Sequence, residues 1–576
     1  MEQKPLAIGI DDYKRIIDRS YYYVDKTLLI KNLLDNAAQV TLFTRPRRFG
    51  KTLALSMLKT FFECERTLSG DPVDNTGYFT GKNIQNAGEK YQSYMGQYPV
   101  IFLSFKSARQ PDYSMAYQIM CEEIAEEYRR HSYILSGEKL SSAEKSKFTS
   151  IMERTAGNAA YATSIKFLSK CLRLYHEKNA IILIDEYDVP LENAYFGQFY
   201  GQMVMFIRSL FESALKSNEN LEFAVITGCL RITKESIFTG LNNLKIHSVL
   251  DHEYAQFFGF TTQEVTKMLA DYSLSEKETE IQQWYDGYQF GSMEIYNPWS
   301  VVNYIDTGRK YPEAFPKPYW SNTSSNQIVR HLIETSDEDT KTEIETLIQG
   351  NAIQKTVHED ITYEDIYQSQ DNLWNFLFFT GYLKKIKETL VEDSVVLSLK
   401  IPNRELRYLF RNTIQIWFEE KIKTSDLSHL YQGIVSGNAE LIQKELSALL
   451  LHSISYMDSY ENFYHGFLLG ILMNLKGYKI TSNREAGNGR YDIAMESRDG
   501  MKTPIILEFK VAKRRPELMD KAKTALKQIV EMNYDAPFIE EGYSTCIHIG
   551  IAFYQKMCWV VTEEYSTDIE LSRTLS

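Results

Sequence analysis

The sequence predicts an α/β chain: a parallel sheet with flanking helices, a helical connector, and a smaller C-terminal α/β unit. Three observations predict it. Short apolar runs at 40–44, 99–105, 180–184 and 222–227 alternate with helical sequence, and the run at 180–184 ends abruptly in Asp185-Glu186. A strand covered on both faces of a parallel sheet has this appearance, with function at its C-terminal edge. The middle reads as helices at 372–379, 404–421 and 439–455 with short strands between them, near Val395–Leu399 for example. Beyond residue 458, two apolar strands flank the turn Arg498-Asp499-Gly500.

Length and composition bound the rest. The 576 residues, 44% of them apolar, are enough for about four domains of ordinary size. Boundaries are expected near Asp251 and within 425–458, giving regions 1–255, 256–457 and 458–576. Cys64, Cys121, Cys171, Cys229, Cys546 and Cys558 show neither a CxxC nor a zinc spacing, so free thiols in a reducing compartment are expected. The start MEQKPLAIGIDDYKR has no apolar core segment, and no window approaches about eighteen uncharged apolar residues. The expected location is cytoplasmic, without a membrane.

The net charge of −12 repels duplex DNA at long range, so any nucleic-acid contact must be local. Two basic clusters offer one: Arg45-Arg47-Arg48-Lys51, and Lys510, Lys513, Arg514, Arg515, Lys521, Lys523 and Lys527. The second reads equally as a solvated helix face.

Taken in order, Tyr21–Asp35 is helix-like, with Leu28, Leu29, Leu33 and Leu34 at helical spacing. Val40–Phe62 then reads as a buried strand, a basic loop ending in Gly50-Lys51-Thr52, and an apolar helix, the order of a P-loop NTPase. Arg45, Pro46, Arg47, Arg48, Phe49, Gly50, Lys51 and Thr52 are therefore the expected ATP-binding set. Loop amides cradle phosphate, Lys51 reaches the outer phosphates, and Thr52 offers its hydroxyl to Mg²⁺. Arg45 replaces the first glycine of the pattern, so the entry turn differs, with Pro46 fixing part of it. A strand at Pro99–Phe105 and helical sequence over 113–177 lead to Ala180–Ile184. There Asp185 is expected to hold Mg²⁺ and Glu186 to orient or deprotonate the attacking water. Thr227, ending the next strand, stands where a γ-phosphate sensor is expected. Arg231 is a further phosphate candidate, and the lack of NKxD favours ATP over GTP.

RPRRFGKT, IILIDEYD, ITGCLRITKESIFTGLNNL, WYDGYQFG, YNPWSVVNYI and YWSNTSSN together resemble the AAA-ATPase-like family of bacterial and archaeal proteins, over about the first 330 residues. In that family arginine in place of the first P-loop glycine is the rule. The resemblance implies an ATP-binding core of AAA-related type. In the middle region, Thr261 reads as a helix cap before Thr262-Gln263-Glu264. Tyr288 and Trp299 are candidates for stacking or partner binding within an aromatic stretch that otherwise reads as core.

Near the C-terminus, Glu461 and His465 share a helix face at i, i+4. Gly489–Ala494 reads as one strand and Pro504–Val511 as its hairpin partner, which sets Asp492 opposite Glu508, with Lys510 on the same face. Two opposed carboxylates repel unless a cation lies between them. Mg²⁺ suits oxygen ligands, polarises a phosphodiester and activates water, and Lys510 is placed to orient the nucleophile or stabilise charge. FYHGFLLGIL, SNREAGNGRYDI, IILEFKV and ALKQIVEMNY resemble the PD-(D/E)XK nuclease superfamily over 459–563. That resemblance implies Asp492 and Glu508 as metal ligands, Lys510 as the catalytic lysine, Gln528 as a residue supporting the site, and Glu461 as a further acid. Tyr491 stands where the superfamily's name has proline, and His465 reads as packing or hydrogen bonding.

The expected function is an ATP-binding module controlling a Mg²⁺-dependent nuclease that acts on nucleic acid, DNA first, in a form compatible with a homo-oligomer. The alternative is an ATP-driven switch whose nuclease-like domain binds nucleic acid or a partner without cutting.

Overall fold

The computed structural model describes all residues except 1–2, 232–236, 239–241, 321–328, 331–337, 359–368, 414–425, 452–460, 474, 483, 499 and 567–576. The later parts of the expected helices at 404–421 and 439–455, all of SNTSSN, much of the stretch after Arg231 and Asp499 of the C-terminal turn thus lie outside the described residues. The chain divides into two units, Met1–Asn326 with Ala352–Leu409, and Gln327–Asn351 with Phe410–Ser576.

The first unit is built on a sheet of β1 (Val40–Thr44), β2 (Val100–Ser104), β3 (Ala180–Asp185), β4 (Leu221–Gly228) and β5 (Leu244–His247), ordered β2-β3-β4-β1-β5. Every pairing is parallel, and β1 and β3 are buried along their whole length. Their β-branched and leucine-rich runs suit this double coverage. Parallel order brings the C-terminal ends of β1, β3 and β4 to one edge, so Thr44, Asp185 and Gly228, far apart in sequence, emerge on one side of the sheet. β5 was not among the expected runs: it is short and carries Lys245, and only its pairing with β1 makes it a strand.

The middle holds more strand than a helical connector was expected to. β6 (Phe260–Thr261), β7 (Tyr288–Phe290) and β8 (Met293–Tyr296) form one small sheet; β9 (Ile353–Thr356), β10 (Lys384–Val391) and β11 (Ser394–Lys400) form another. Strands this short show no periodicity of their own, and their aromatic residues read from sequence as core. The helix Thr262–Asp271 opens with a capping box between Thr261 and Glu264, as expected.

The 404–413 helix buries Glu405 completely. One oxygen accepts from the Trp320 amide at 2.6 Å and the other from the Ser300 hydroxyl at 2.8 Å. Burial pushes this carboxyl up to about 7 against these hydrogen bonds. The folded state therefore holds a proton that the unfolded chain releases near its ordinary value. Glu405 contributes most to stability below that ordinary value, and the contribution is lost as pH rises through about 7, by on the order of 3 kcal/mol. Glu405→Gln keeps both partners and is expected to melt higher than the wild type at pH 8, with the advantage shrinking by pH 5. Parallel melting curves across that range would contradict the assignment.

The second unit is a mixed sheet, ordered β12-β15-β16-β17-β18, of β12 (Tyr478–Ser482), β15 (Ile493–Ser497), β16 (Ile505–Val511), β17 (Thr545–Tyr554) and β18 (Met557–Ser566). β13 (Glu485–Ala486) and β14 (Gly489–Arg490) pair separately. The strand expected over 489–494 is thus two strands in two sheets, interrupted at Tyr491-Asp492. The break frees Asp492 from the ladder, and its carboxylate caps the Phe509 amide at 2.7 Å. Leu507 and Phe509 pack with Leu468 and Ile471 of the helix Glu461–Leu472, and Ile506 packs with Ile529 of the helix Leu518–Glu531.

Gly550 on β17 pairs with Glu508 and lies under the second of these helices. A Cβ there would come within 2.4 Å of the Ala522 carbonyl oxygen and 2.6 Å of the Leu526 nitrogen, both backbone atoms. Gly550→Ala is expected to lift that helix and destabilise the fold by about 1–3 kcal/mol in thermal or denaturant unfolding. Gly470→Ala, with open space at its Cβ, is the control expected to be near neutral.

Candidate nucleotide and metal sites

The phosphate loop joins β1 to the helix Lys51–Phe62 through Gly50, whose left-handed φ of 84° starts the helix. Without the first glycine, the loop is held from outside. The Arg45 amide donates to the Gly228 carbonyl at 3.0 Å, and the Gly259 amide donates to the Phe49 carbonyl at 3.0 Å. Pro46 lies so close to Gly381 that a Cβ on that glycine would sit 2.9 Å from the proline ring. Arg48 takes a positive φ of 73° and lays its guanidinium 4.0 Å from the Trp299 ring centroid.

Arg45 does not face the loop's interior. Its fully buried guanidinium donates to the Thr44 carbonyl at 2.9 Å and the His247 carbonyl at 2.8 Å, between the rings of Phe258 and Phe290. Desolvation lowers it to about 9. The side chain ties β1 to β5, so only the backbone of Arg45 is left to line the candidate nucleotide site. Phe49 is likewise core, packed against Tyr288 and Phe290. Tyr288 is therefore buried beneath the loop and unavailable for stacking, while Trp299 serves as the platform for Arg48.

The remaining residues converge. Thr52 donates to one oxygen of Asp185 at 2.7 Å, and Thr227 donates to the other at 2.5 Å. Lys51 is buried and donates to the carbonyls of Arg45 at 2.8 Å and Pro46 at 3.0 Å, with the Cys229 sulfur 3.5 Å away. Glu186 follows with a left-handed φ of 50°, and burial pushes its carboxyl up while Lys51 draws it down. This donor set fits a nucleotide: an ammonium resting on replaceable carbonyls, amides at a helix start, and a hydroxyl–carboxylate pair suited to the accompanying Mg²⁺.

Three residues here went unnoticed in sequence. Asp188 accepts from the amides of Cys229 at 2.7 Å and Leu230 at 3.1 Å, which ties the end of β3 to the turn after β4. Its place in IILIDEYD was the available signal. Glu192 and Arg109 carried none. Arg231 comes directly after that turn, and residues 232–236 beyond it are outside the described set.

In the second unit, the β15–β16 register (Ile493↔Leu507, Ala494↔Ile506), continued by one pair, brings Asp492 to Glu508. The Asp492 amide donates to one Glu508 oxygen at 3.3 Å, and Lys510 donates to the other at 2.9 Å. Burial first, and then the facing Asp492 carboxylate, pushes Glu508 well above the usual carboxylate range, while Lys510 draws it down. A buried acid facing a half-buried one fits a divalent cation between them. Among the described residues, no group of three or more His, Cys, Asp or Glu is placed to hold a metal. The side chain of Glu461 lies outside the described residues.

Gln528 donates to the Tyr534 hydroxyl at 3.1 Å. That ring closes over Gly489, where a Cβ would sit 3.1 Å from the hydroxyl. Gln528 thus braces the approach to Asp492 rather than the carboxylates themselves. His465 donates through Nε2 to the Asp492 carbonyl at 3.0 Å and packs on Phe509, so it positions the same turn from the opposite helix. Lys513, Arg514, Arg515, Lys521 and Lys523 are exposed nearby in sequence.

Comparison with known proteins gives a match for each of these two regions. Residues 7–238 match the family described as "Predicted AAA-ATPase", and residues 459–563 match the PD-(D/E)XK nuclease superfamily. A relative from Azotobacter chroococcum mcd 1, described as an uncharacterized protein in the vnfD 5'region, is 24% identical over 566 residues, covering 96% of this chain and 97% of its own. No helix among the described residues is long and apolar enough to cross a membrane. The chain thus joins an AAA-ATPase-like region to a region of the PD-(D/E)XK nuclease superfamily, the pairing its motifs resemble.

Proposed function

We propose that this protein binds ATP with Mg²⁺ at the P-loop and uses that binding to control a Mg²⁺-dependent phosphodiesterase acting on nucleic acid, with DNA as the first substrate. The reading keeps the boundary near residue 458 as the start of the nuclease part. The observation that carries it is the Asp492–Glu508–Lys510 cluster: two facing carboxylates with a lysine beside them, on strands otherwise built of core residues. Buried charge in such a strand is costly and is retained where chemistry uses it.

At the nuclease site, Asp492 and Glu508 would hold the metal, which when bound supplies Lewis acidity and an activated water. Lys510 is placed to orient the nucleophile and stabilise charge developing on the phosphate. His465 and Gln528 keep the Asp492 turn in place. At the nucleotide site, Lys51 and the loop amides would bind phosphate, Thr52 and Asp185 the accompanying metal, while Thr227 orients Asp185 and Glu186 holds the attacking water.

The test incubates purified protein with plasmid, linear and single-stranded DNA and with RNA, with Mg²⁺ or Mn²⁺, with and without ATP. Metal-dependent cutting whose rate responds to ATP is expected. Retention of nucleic acid without any cutting would favour the switch reading.

A further inference from the structure

We propose that Glu192 is a latch holding two arginines at the nucleotide site, and that Arg109, which lies outside every motif, contacts the terminal phosphate of a bound nucleoside triphosphate. The inference rests on the P-loop reading above.

Glu192 belongs to the helix Val189–Phe196, which starts four residues after Asp185 at the end of β3, and its side chain is only 12% exposed. A single oxygen of its carboxylate accepts from Arg47 and from Arg109, the latter at 2.7 Å. Arg47 is the third residue of the phosphate loop. Arg109 ends the short turn Lys106–Ala108 that follows β2, so it reaches the site from the strand beyond β3 on the same edge of the sheet. Residues 47, 109 and 192 come from three crossovers, and the parallel strand order alone brings them together.

The cluster stands beside the lysine that addresses the outer phosphates. Glu192 lies one helical turn after Asp188, which holds the Cys229 amide at 2.7 Å, and the Cys229 sulfur is 3.5 Å from the Lys51 ammonium. A guanidinium pairs best with two oxygens of one acceptor group, which sharing a single carboxylate oxygen denies it. A terminal phosphate offers three oxygens and more charge. Arg109 is 47% exposed and can change partners without disturbing the core, whereas the Arg47 carbonyl is tied to the Trp320 ring nitrogen at 3.4 Å. Glu192 thus keeps both arginines in place but occupied, and a triphosphate competes with it for them. A diphosphate lacks the group that Arg109 would bind.

The test is calorimetric titration of the full-length protein with ATP and ADP, in the presence of Mg²⁺, for the wild type, Arg109→Ala, Glu192→Gln and Lys51→Ala. Arg109→Ala is expected to weaken ATP by about tenfold or more and ADP by less than about twofold. Glu192→Gln is expected to tighten ATP. Equal losses for both nucleotides, or an unchanged ATP affinity in Arg109→Ala, would overturn the phosphate contact. Unchanged or weaker ATP binding in Glu192→Gln would overturn the latch. A wild type that binds neither nucleotide, or a Lys51→Ala variant that binds ATP undiminished, would instead remove the P-loop reading itself. Thermal melting checks each variant, and Arg109→Lys, which keeps the charge but loses the fork, replaces Arg109→Ala if the latter fails to fold.

Discussion

Lys510→Ala is expected to lower DNA cleavage by about 10²–10³-fold at saturating Mg²⁺, the range lost with a group that moves protons or steadies charge at the reacting atoms. The fold should survive, because Lys510 is a quarter exposed and its bond at 2.9 Å is to Glu508. Glu508→Gln makes the sharper companion. It removes the buried member of two acids that oppose each other without a metal, so the metal-free protein should melt higher than the wild type. The same change removes a metal ligand, so cutting should disappear and added Mg²⁺ should no longer raise the melting temperature. A site kept for chemistry at the expense of stability responds in these opposite directions. Undiminished cutting by Lys510→Ala would remove the nuclease assignment. A drop in metal-free stability of Glu508→Gln would mean that the acid is structural.

Lys51→Ala is expected to weaken ATP binding by about 10- to 100-fold, the range for losing hydrogen bonds from a charged group to an anion. The Lys51 ammonium rests on the Arg45 and Pro46 carbonyls, and the residue is 4% exposed. The variant therefore also relieves a buried charge, and its nucleotide-free stability should change little. Calorimetry reads the first effect and thermal melting the second. Undiminished ATP binding would remove the P-loop assignment and with it the control of the second site.

Much of the first unit was legible because local pattern and long-range need agree there. The apolar runs at 40–44, 99–105, 180–184 and 222–227 became β1 to β4, and Thr52, Asp185 and Thr227 meet because parallel strands deliver their C-terminal ends to one edge. The capping box at Thr261 is local, and it too was readable. Arg45 was misread for a physical reason. An arginine in a phosphate loop is expected to face phosphate, yet here β5 and Phe258 and Phe290 of the middle region build an apolar cage with two carbonyl acceptors around it. Of those partners only the Thr44 carbonyl is near it in sequence.

The sequence by itself determined the α/β class, the phosphate loop and the D…ExK spacing, because each is written in periodicity or in residues a few positions apart. Tertiary structure decided that the 489–494 strand breaks at Asp492, that Gly550 lets a helix backbone settle over the strand beside Glu508, and that Arg109 shares Glu192 with Arg47. These contacts join residues far apart along the chain, and their energies depend on burial and on angles between elements, which no local pattern of side chains records.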